Sequence, residues 1–274
     1  MKGFKYVGRQ AGLVIIMVVV SLLLTACATV PITGRNQLSL IPDSEMLAMS
    51  LQQYDQFLSE NRLSRDSYQV DLVRRVGDNI AEAVEQFFYD NNMAREVENF
   101  QWEFNLVESD DVNAWCMPGG KVVVYSGILP VAQDETGLAV VMGHEIAHAV
   151  AGHGGERMSQ ALLVELGGTA LSVAMRNKPS QTRRLWLSAF GIGSQVGIML
   201  PFSRTHEAEA DHLGLIFMAM AGYDPRDAVD FWTRMSQESG GNPPEFLSTH
   251  PSDANRIRNI ERFMPEALQY YRPY

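Results

Sequence analysis

The chain has 274 residues, 46% of them hydrophobic and 20% charged, a balance that fits one ordinary globular domain and excludes a disordered or low-complexity protein. Thirty-two acidic residues against 22 basic ones give a formal net charge of −10, which argues against nucleic acid or an anionic lipid surface as the main partner. Two cysteines, Cys27 and Cys116, are too few for a disulfide-stapled scaffold, so the fold must stand on its core.

Lys2, Lys5 and Arg9 form a basic opening, residues 13–24 an apolar run, and Leu24-Thr25-Ala26-Cys27 sets small residues before a cysteine. This pattern resembles a bacterial lipoprotein leader. The resemblance implies a signal peptide over residues 1–26, cleavage before Cys27 and lipidation of that cysteine. Ala28 in place of an aspartate implies sorting to the outer membrane, with the domain facing the periplasm. The alternative is an uncleaved anchor, although the run is short of the ~20 apolar residues a span needs. Residues 27–42, punctuated by Pro31, Gly34 and Pro42, read as an extended, lipidated tether. Residues 43–274 then form one domain without internal repeats.

Within it, residues 44–60 and 67–90 are predicted helices, the second carrying Val70, Leu72, Val73, Val76, Ile80 and Val84 on one face. Residues 100–107 and 121–125 are predicted strands, with a turn at Pro118-Gly119-Gly120 between them. A helix capped by Asp134 should run to about His153, followed by helical stretches over 158–175, 182–199, 204–221, 225–237 and 252–270. Helices around one small sheet make an α+β fold. The uncharged stretch 185–202, with Trp186, Phe190 and Ile192, reads as core or as a membrane contact that Gly191, Gly193 and Gly197 would weaken.

The chemistry lies in His144-Glu145-Ile146-Ala147-His148. Positions i and i+4 share a helix face, so both imidazoles can ligate one ion, while Glu145 is offset and suits a general base acting on water. Chance alone would produce such a motif in roughly one chain of this length in a hundred. Its setting adds weight, because Leu138, Val140, Val141, Met142, Ile146 and Val150 make an apolar helix in which a polar triplet is costly without a metal partner. A third ligand six positions after His148 is ruled out, since that residue is Gly154, and His153 reads as a helix-end residue. The stretch from Ser203 to Asp211 offers a better one. Glu207 and Asp211 share a face, Glu207 as metal ligand and Asp211 as the carboxylate that accepts the other N–H of a bound histidine. His206 and His212 read as exposed or satisfied helix residues, and Cys116 as a small buried hydrophobe.

His-Glu-x-x-His followed by Ser-Arg-x-x-Glu-x-x-Ala-Asp resembles metallopeptidase family forty-eight, the HtpX and CAAX prenyl protease type, and within it a branch of periplasmic lipoproteins. The likeness extends to Asn113-Ala114-Trp115, Pro118-Gly119-Gly120-Lys121, Tyr125-Ser126-Gly127, Thr249-His250-Pro251 and Arg256. It implies a mainly helical, gluzincin-like zinc peptidase domain with one Zn2+ per chain on His144, His148 and Glu207, and with Glu145 as base. It also implies that His250 lies beside the metal, either as a fourth ligand in a latent state or as a stabiliser of the oxyanion. Asn113 and Ala114 would lie on the edge strand along which an extended substrate is laid antiparallel, so that unfolded or misassembled envelope polypeptides become the expected substrates. The alternatives are a chaperone-like or scaffold lipoprotein with a latent zinc site, and a non-peptide amidase with the same metal chemistry.

Overall fold

Side-chain caps start the helices that carry the architecture. Asp66 accepts from the backbone N–H of Gln69 at 3.1 Å, Asp134 from Gly137 at 2.9 Å and Ser203 from His206 at 3.2 Å, each satisfying a helix-end donor. The computed structural model describes residues 27–166, 202–237, 244–250 and 255–273. The leader, the expected helix over 182–199, nearly all of the uncharged stretch 185–202 and the end of the expected helix over 158–175 lie outside the described residues.

The described helices are α1 (Asp43–Glu60), α2 (Ser67–Asp90), a single turn α3 (Leu129–Ala132), α4 (Glu135–Val150), α5 (His153–Leu166), α6 (Arg204–Met220), α7 (Asp227–Gln237), α8 (Glu245–Thr249) and α9 (Arg256–Tyr270). With the strands below they make the expected α+β fold. None of the described helices is long and apolar enough to cross a membrane.

Strands β1 (Cys27–Thr29) and β2 (Asn36–Leu38) pair antiparallel as a small hairpin. The segment expected as an extended tether thus contains a hairpin and touches the domain: Arg35 forms ion pairs with Glu156 and Glu209, and the Leu40 N–H donates to Ser159, which docks it on α5 and α6. The main sheet holds β3 (Glu103–Val107), β4 (Ala114–Met117) and β5 (Lys121–Tyr125) in the order β3-β5-β4. Strand β3 runs parallel to β5 and β4 antiparallel to it, with Val123 opposite both Asn105 and Trp115. The predicted strand over 100–107 begins only at Glu103, because the Gln101 N–H donates to the Gly119 carbonyl of the turn.

Alternation along the strands divides the core. Val122, Val124, Phe104 and Leu106 pack with α2, α4, α6, α7 and α9, whereas Val123, Trp115, Met117 and Tyr125 face Tyr54 and Phe57 of α1 and Met158 of α5. Buried on both sides, β4 and β5 show no polar alternation.

Helix α4 runs through the centre, buried from Gly137 to His148. It meets α6 at Gly143 and Gly214, where a Cβ on Gly214 would stand 3.0 Å from the carbonyl carbon of Gly143 and from the amide nitrogen of His144. A larger residue there would force the two backbones apart, and this backbone-to-backbone contact brings the faces carrying His144 and Glu207 together. Helix α4 ends at Val150, short of the predicted His153, because Gly152 takes a left-handed turn at φ 71°. The chain re-enters helix at His153 in a new direction.

Candidate metal centre

Four buried side chains converge between α4, α6 and α8: His144, His148, Glu207 and His250. Helical spacing turns both α4 histidines to the same face, and their Nε2 atoms stand 3.1 Å apart. From there Glu207 lies 3.5 Å from His144 and 3.4 Å from His148, while Nδ1 of His250 is 3.3 Å from His144 and 3.1 Å from Glu207. A tetrahedral zinc with bonds of about 2.0–2.1 Å needs ligand atoms separated by roughly 3.3 Å. These separations, taken to Oε2 of Glu207 from His144 and to Oε1 from His148 and His250, fall around that value, and one ligand atom from each of the four residues lies within 4.8 Å of the others, so the donor set fits zinc in number and chemistry.

The outer contacts orient these donors. Nδ1 of His144 faces Asp211 at 3.0 Å, which leaves Nε2 as the lone-pair nitrogen. Arg256, at the start of α9, donates to Glu207 at 3.0 Å and to Asp211 at 2.7 Å, and its guanidinium lies 3.2 Å over the Trp232 ring. The ring of Phe246 stacks on His250 at 4.5 Å, and Phe202 covers His148 at 4.0 Å. These rings make the wall dry, which strengthens every charge interaction inside it.

Charge in the site is arranged to favour a cation. Burial works against an ionised Glu207, yet His250, Arg256 and the two α4 histidines outweigh it and hold its carboxyl well below the usual range. Burial also lowers His144, but Asp211 and Glu207 overcome it and raise the imidazole to about 9, so before the ion arrives Nε2 also carries a proton, which the cation must displace to ligate there. His148 goes the other way: burial dominates and keeps it neutral, with a lone pair to offer. Glu145 sits beside this group with its carboxyl pushed up to about 8, first by burial and further by the charge of Glu207. Its Oε1 is buried without a hydrogen-bond partner, and Nε2 of His250 stands 3.6 Å away. An orphaned carboxylate oxygen at a cation-seeking cluster is chemically suited to a water that approaches the ion.

The remaining expected residues are placed as follows. Ala114 opens β4, which is an edge of the main sheet and packs against α4. Asn113 is fully buried just before the strand, with its side-chain oxygen accepting from the Ala114 N–H at 2.9 Å. Cys116 is buried near Glu145 and its thiol is pushed well up by that burial, in keeping with a small hydrophobe. His206 and His212 pair through Nε2 with Glu156 and Glu266 at 2.9 and 2.8 Å, while Nδ1 of His206 is buried without a hydrogen-bond partner among the described residues. His153 is a correction. Rather than only closing a helix, it opens α5, is fully buried, and sets Nδ1 2.9 Å from Nδ1 of His148. The signal available for it was Gly152, whose freedom at positive φ lets the chain fold back on the motif.

The description "Peptidase family M48" matches residues 77–264, which contain all four converging donors, Glu145, Asp211 and Arg256. The chain belongs to peptidase family M48. Peptidases of this family use zinc, in agreement with the donor geometry. Among M48 relatives, the mitochondrial metalloendopeptidase OMA1 of Schizosaccharomyces pombe is 39% identical over 175 residues, covering 62% of this chain and 48% of its own. The OMA1 of Bos taurus is 33% identical over 250 residues, or 87% of this chain and 46% of its own. The Yersinia pestis beta-barrel assembly-enhancing protease is 32% identical over 161 residues, or 57% and 33%. The chain thus spans about half the length, or less, of these curated relatives. Because mitochondrial and beta-barrel-assembly names both occur, the likeness establishes the M48 family and singles out no lipoprotein branch of it.

Proposed function

We propose that this chain is a zinc-dependent endopeptidase that cuts unfolded or misassembled proteins of the bacterial cell envelope. The observation that carries the reading is the tetrahedral spacing of the buried donors with Glu145 alongside them. His144, His148 and Glu207 would hold the ion. Bound zinc polarises a scissile carbonyl and acidifies water. Glu145 takes the proton of the attacking water and returns it to the leaving amine, so the C–N bond breaks to give a carboxylate and an amine with no covalent intermediate. Asp211 keeps His144 in the ligating tautomer. Strand β4, an edge of the main sheet among the described residues, begins at Ala114 just after Asn113 and suits an extended peptide added as a further strand.

His250 is the restraint in this reading. Its Nδ1 stands at ligand spacing from both His144 and Glu207, the position an attacking water would need, so it acts as a latch that must swing aside. The same contact favours a second reading, a chaperone-like envelope lipoprotein whose zinc site is latent. The leader residues Lys2 to Ala26 and Cys27 support a lipidated protein at the outer membrane, facing the periplasm.

Cleavage of casein by the purified chain tests the assignment. Glu145→Gln should retain one zinc and its melting temperature while losing activity by several orders of magnitude. Comparable cleavage by the variant would overturn the peptidase reading.

A further inference from the structure

The two α4 histidines are braced differently. Nδ1 of His144 meets a carboxylate directly, at Asp211. Nδ1 of His148 instead meets a second imidazole, Nδ1 of His153, at 2.9 Å, and Nε2 of His153 meets Oε2 of Glu209 at 2.9 Å. The same Glu209 oxygen accepts from Nε of Arg35 at 2.7 Å, and Thr33 donates to its other oxygen. Arg35 reaches on to Glu156 at 2.8 Å, which also holds His206 at 2.9 Å.

We propose that His153, Glu209 and Arg35 are positioning residues for His148: a hydrogen-bonded chain from the N-terminal hairpin that sets the tautomer of a metal-ligating imidazole. The proposal rests on the zinc reading above. A ligating Nε2 must keep its lone pair, so the one proton of neutral His148 sits on Nδ1 and is donated to His153. Nδ1 of His153 must then accept, and its proton is left on Nε2. That proton needs an acceptor, and Glu209 is there. Only one direction of donation satisfies every link. Were Glu209 replaced by a donor or an apolar group, His153 could carry its proton on Nδ1, and His148 would be driven to protonate the nitrogen that the ion needs.

Geometry on α6 explains why an intermediary is required. Glu207 and Asp211 share a face, but Glu209 lies two positions from each and projects away from it. The left-handed turn at Gly152 carries His153 into the gap between His148 and Glu209. Arg35 lies 174 residues from Glu209 in the chain, in the hairpin that precedes the M48 match at residue 77, so the hairpin completes a site whose ligands lie inside that match.

Zinc affinity of the purified full chain, measured by chelator competition, tests the proposal independently of catalysis. His153→Leu and Glu209→Ala should each weaken zinc binding about 10–100-fold, the usual effect of removing an outer partner of a metal ligand, and Arg35→Met should weaken it toward the lower end. His153→Asn, whose side-chain oxygen can take the place of Nδ1 as acceptor, should recover most of the loss. The cobalt-substituted protein should show visible bands shifted in His153→Leu and restored in His153→Asn. Ser159→Ala removes another anchor of the same segment, the bond from Leu40, without touching the chain of imidazoles. It should lower the melting temperature and leave zinc affinity unchanged. Wild-type affinity in a folded His153→Leu would overturn the proposal while leaving the zinc reading intact, and Leu and Asn variants equally weak would overturn the assigned proton direction. A loss in Ser159→Ala equal to that in Arg35→Met would reduce Arg35 to a docking contact. A wild-type chain without stoichiometric zinc would overturn the function and this inference together.

Discussion

Replacing Gly214 by alanine should damage the metal centre without altering any of its donors. The added Cβ would stand 3.0 Å from the carbonyl carbon of Gly143, 3.0 Å from the amide nitrogen of His144 and 3.1 Å from its Cα. These are backbone atoms of a buried helix, so no side chain can swing aside. Contacts of this length are tighter than nearly all real Cβ contacts, and α4 and α6 must therefore part by a few tenths of an ångström. Overpacking of this kind costs about 1–3 kcal/mol. The separations between Glu207 and the two histidines, already 3.4 and 3.5 Å, would open toward about 4 Å, beyond what a tetrahedral zinc spans. A misplacement of about 1 Å can cost ~10²-fold in rate, so this smaller shift should lower cleavage by about tenfold or more and weaken zinc binding in parallel. Gly155→Ala is the control, because its Cβ would meet only the Met46 methyl at an ordinary 3.6 Å, and alanine in a helix should add up to about 1 kcal/mol. Urea unfolding, zinc competition and casein cleavage measure the three effects. A Gly214→Ala protein destabilised as expected but with wild-type zinc affinity and rate would refute the idea that the glycine contact sets the ligand geometry.

Arg256→Met should destabilise the fold by about 3–5 kcal/mol in urea unfolding, since it strands the buried carboxylates of Glu207 and Asp211, and Arg256→Lys should recover little because an ammonium cannot bridge both. His250→Ala should raise basal casein cleavage by releasing the fourth position; a fall of roughly 10²–10³-fold would instead assign His250 to the oxyanion. Labelled fatty acid should enter the wild-type protein in bacterial cells and not Cys27→Ser, and an unlabelled wild type of full precursor length would refute the lipoprotein reading.

The site was legible in the sequence wherever a regular helix carries it. His144 with His148, and Glu207 with Asp211, are each one turn apart, and spacing alone brings each pair to one face. His153 was not legible, because extrapolating α4 as a continuous helix would carry it around the axis away from His148, and only the left-handed turn at Gly152 returns it. Strand β4 lacks an alternating pattern since both of its faces are buried, so the resemblance rather than the periodicity pointed to an edge at Ala114. The hairpin escaped for another reason. Its strands are three residues each, too short for a pattern, and Pro31 and Gly34 signal turns equally well in a loose linker; what docks it is Arg35, whose partners are remote in the chain.

The stacking of Arg256 on Trp232 gives the protein its own optical gauge. The indole is nearly sealed from solvent, with a guanidinium 3.2 Å over one face and the His144 ring 5.2 Å away, whereas Trp102 and Trp115 lie on or beside the sheet. Indole emission responds to the charge and polarity around the ring, so, among the described tryptophans, an ion arriving at His144 changes the environment of Trp232 most strongly. Filling and emptying of the centre can then be followed in the unlabelled chain, in real time and apart from turnover, with Trp232→Phe reporting the background of the three remaining tryptophans.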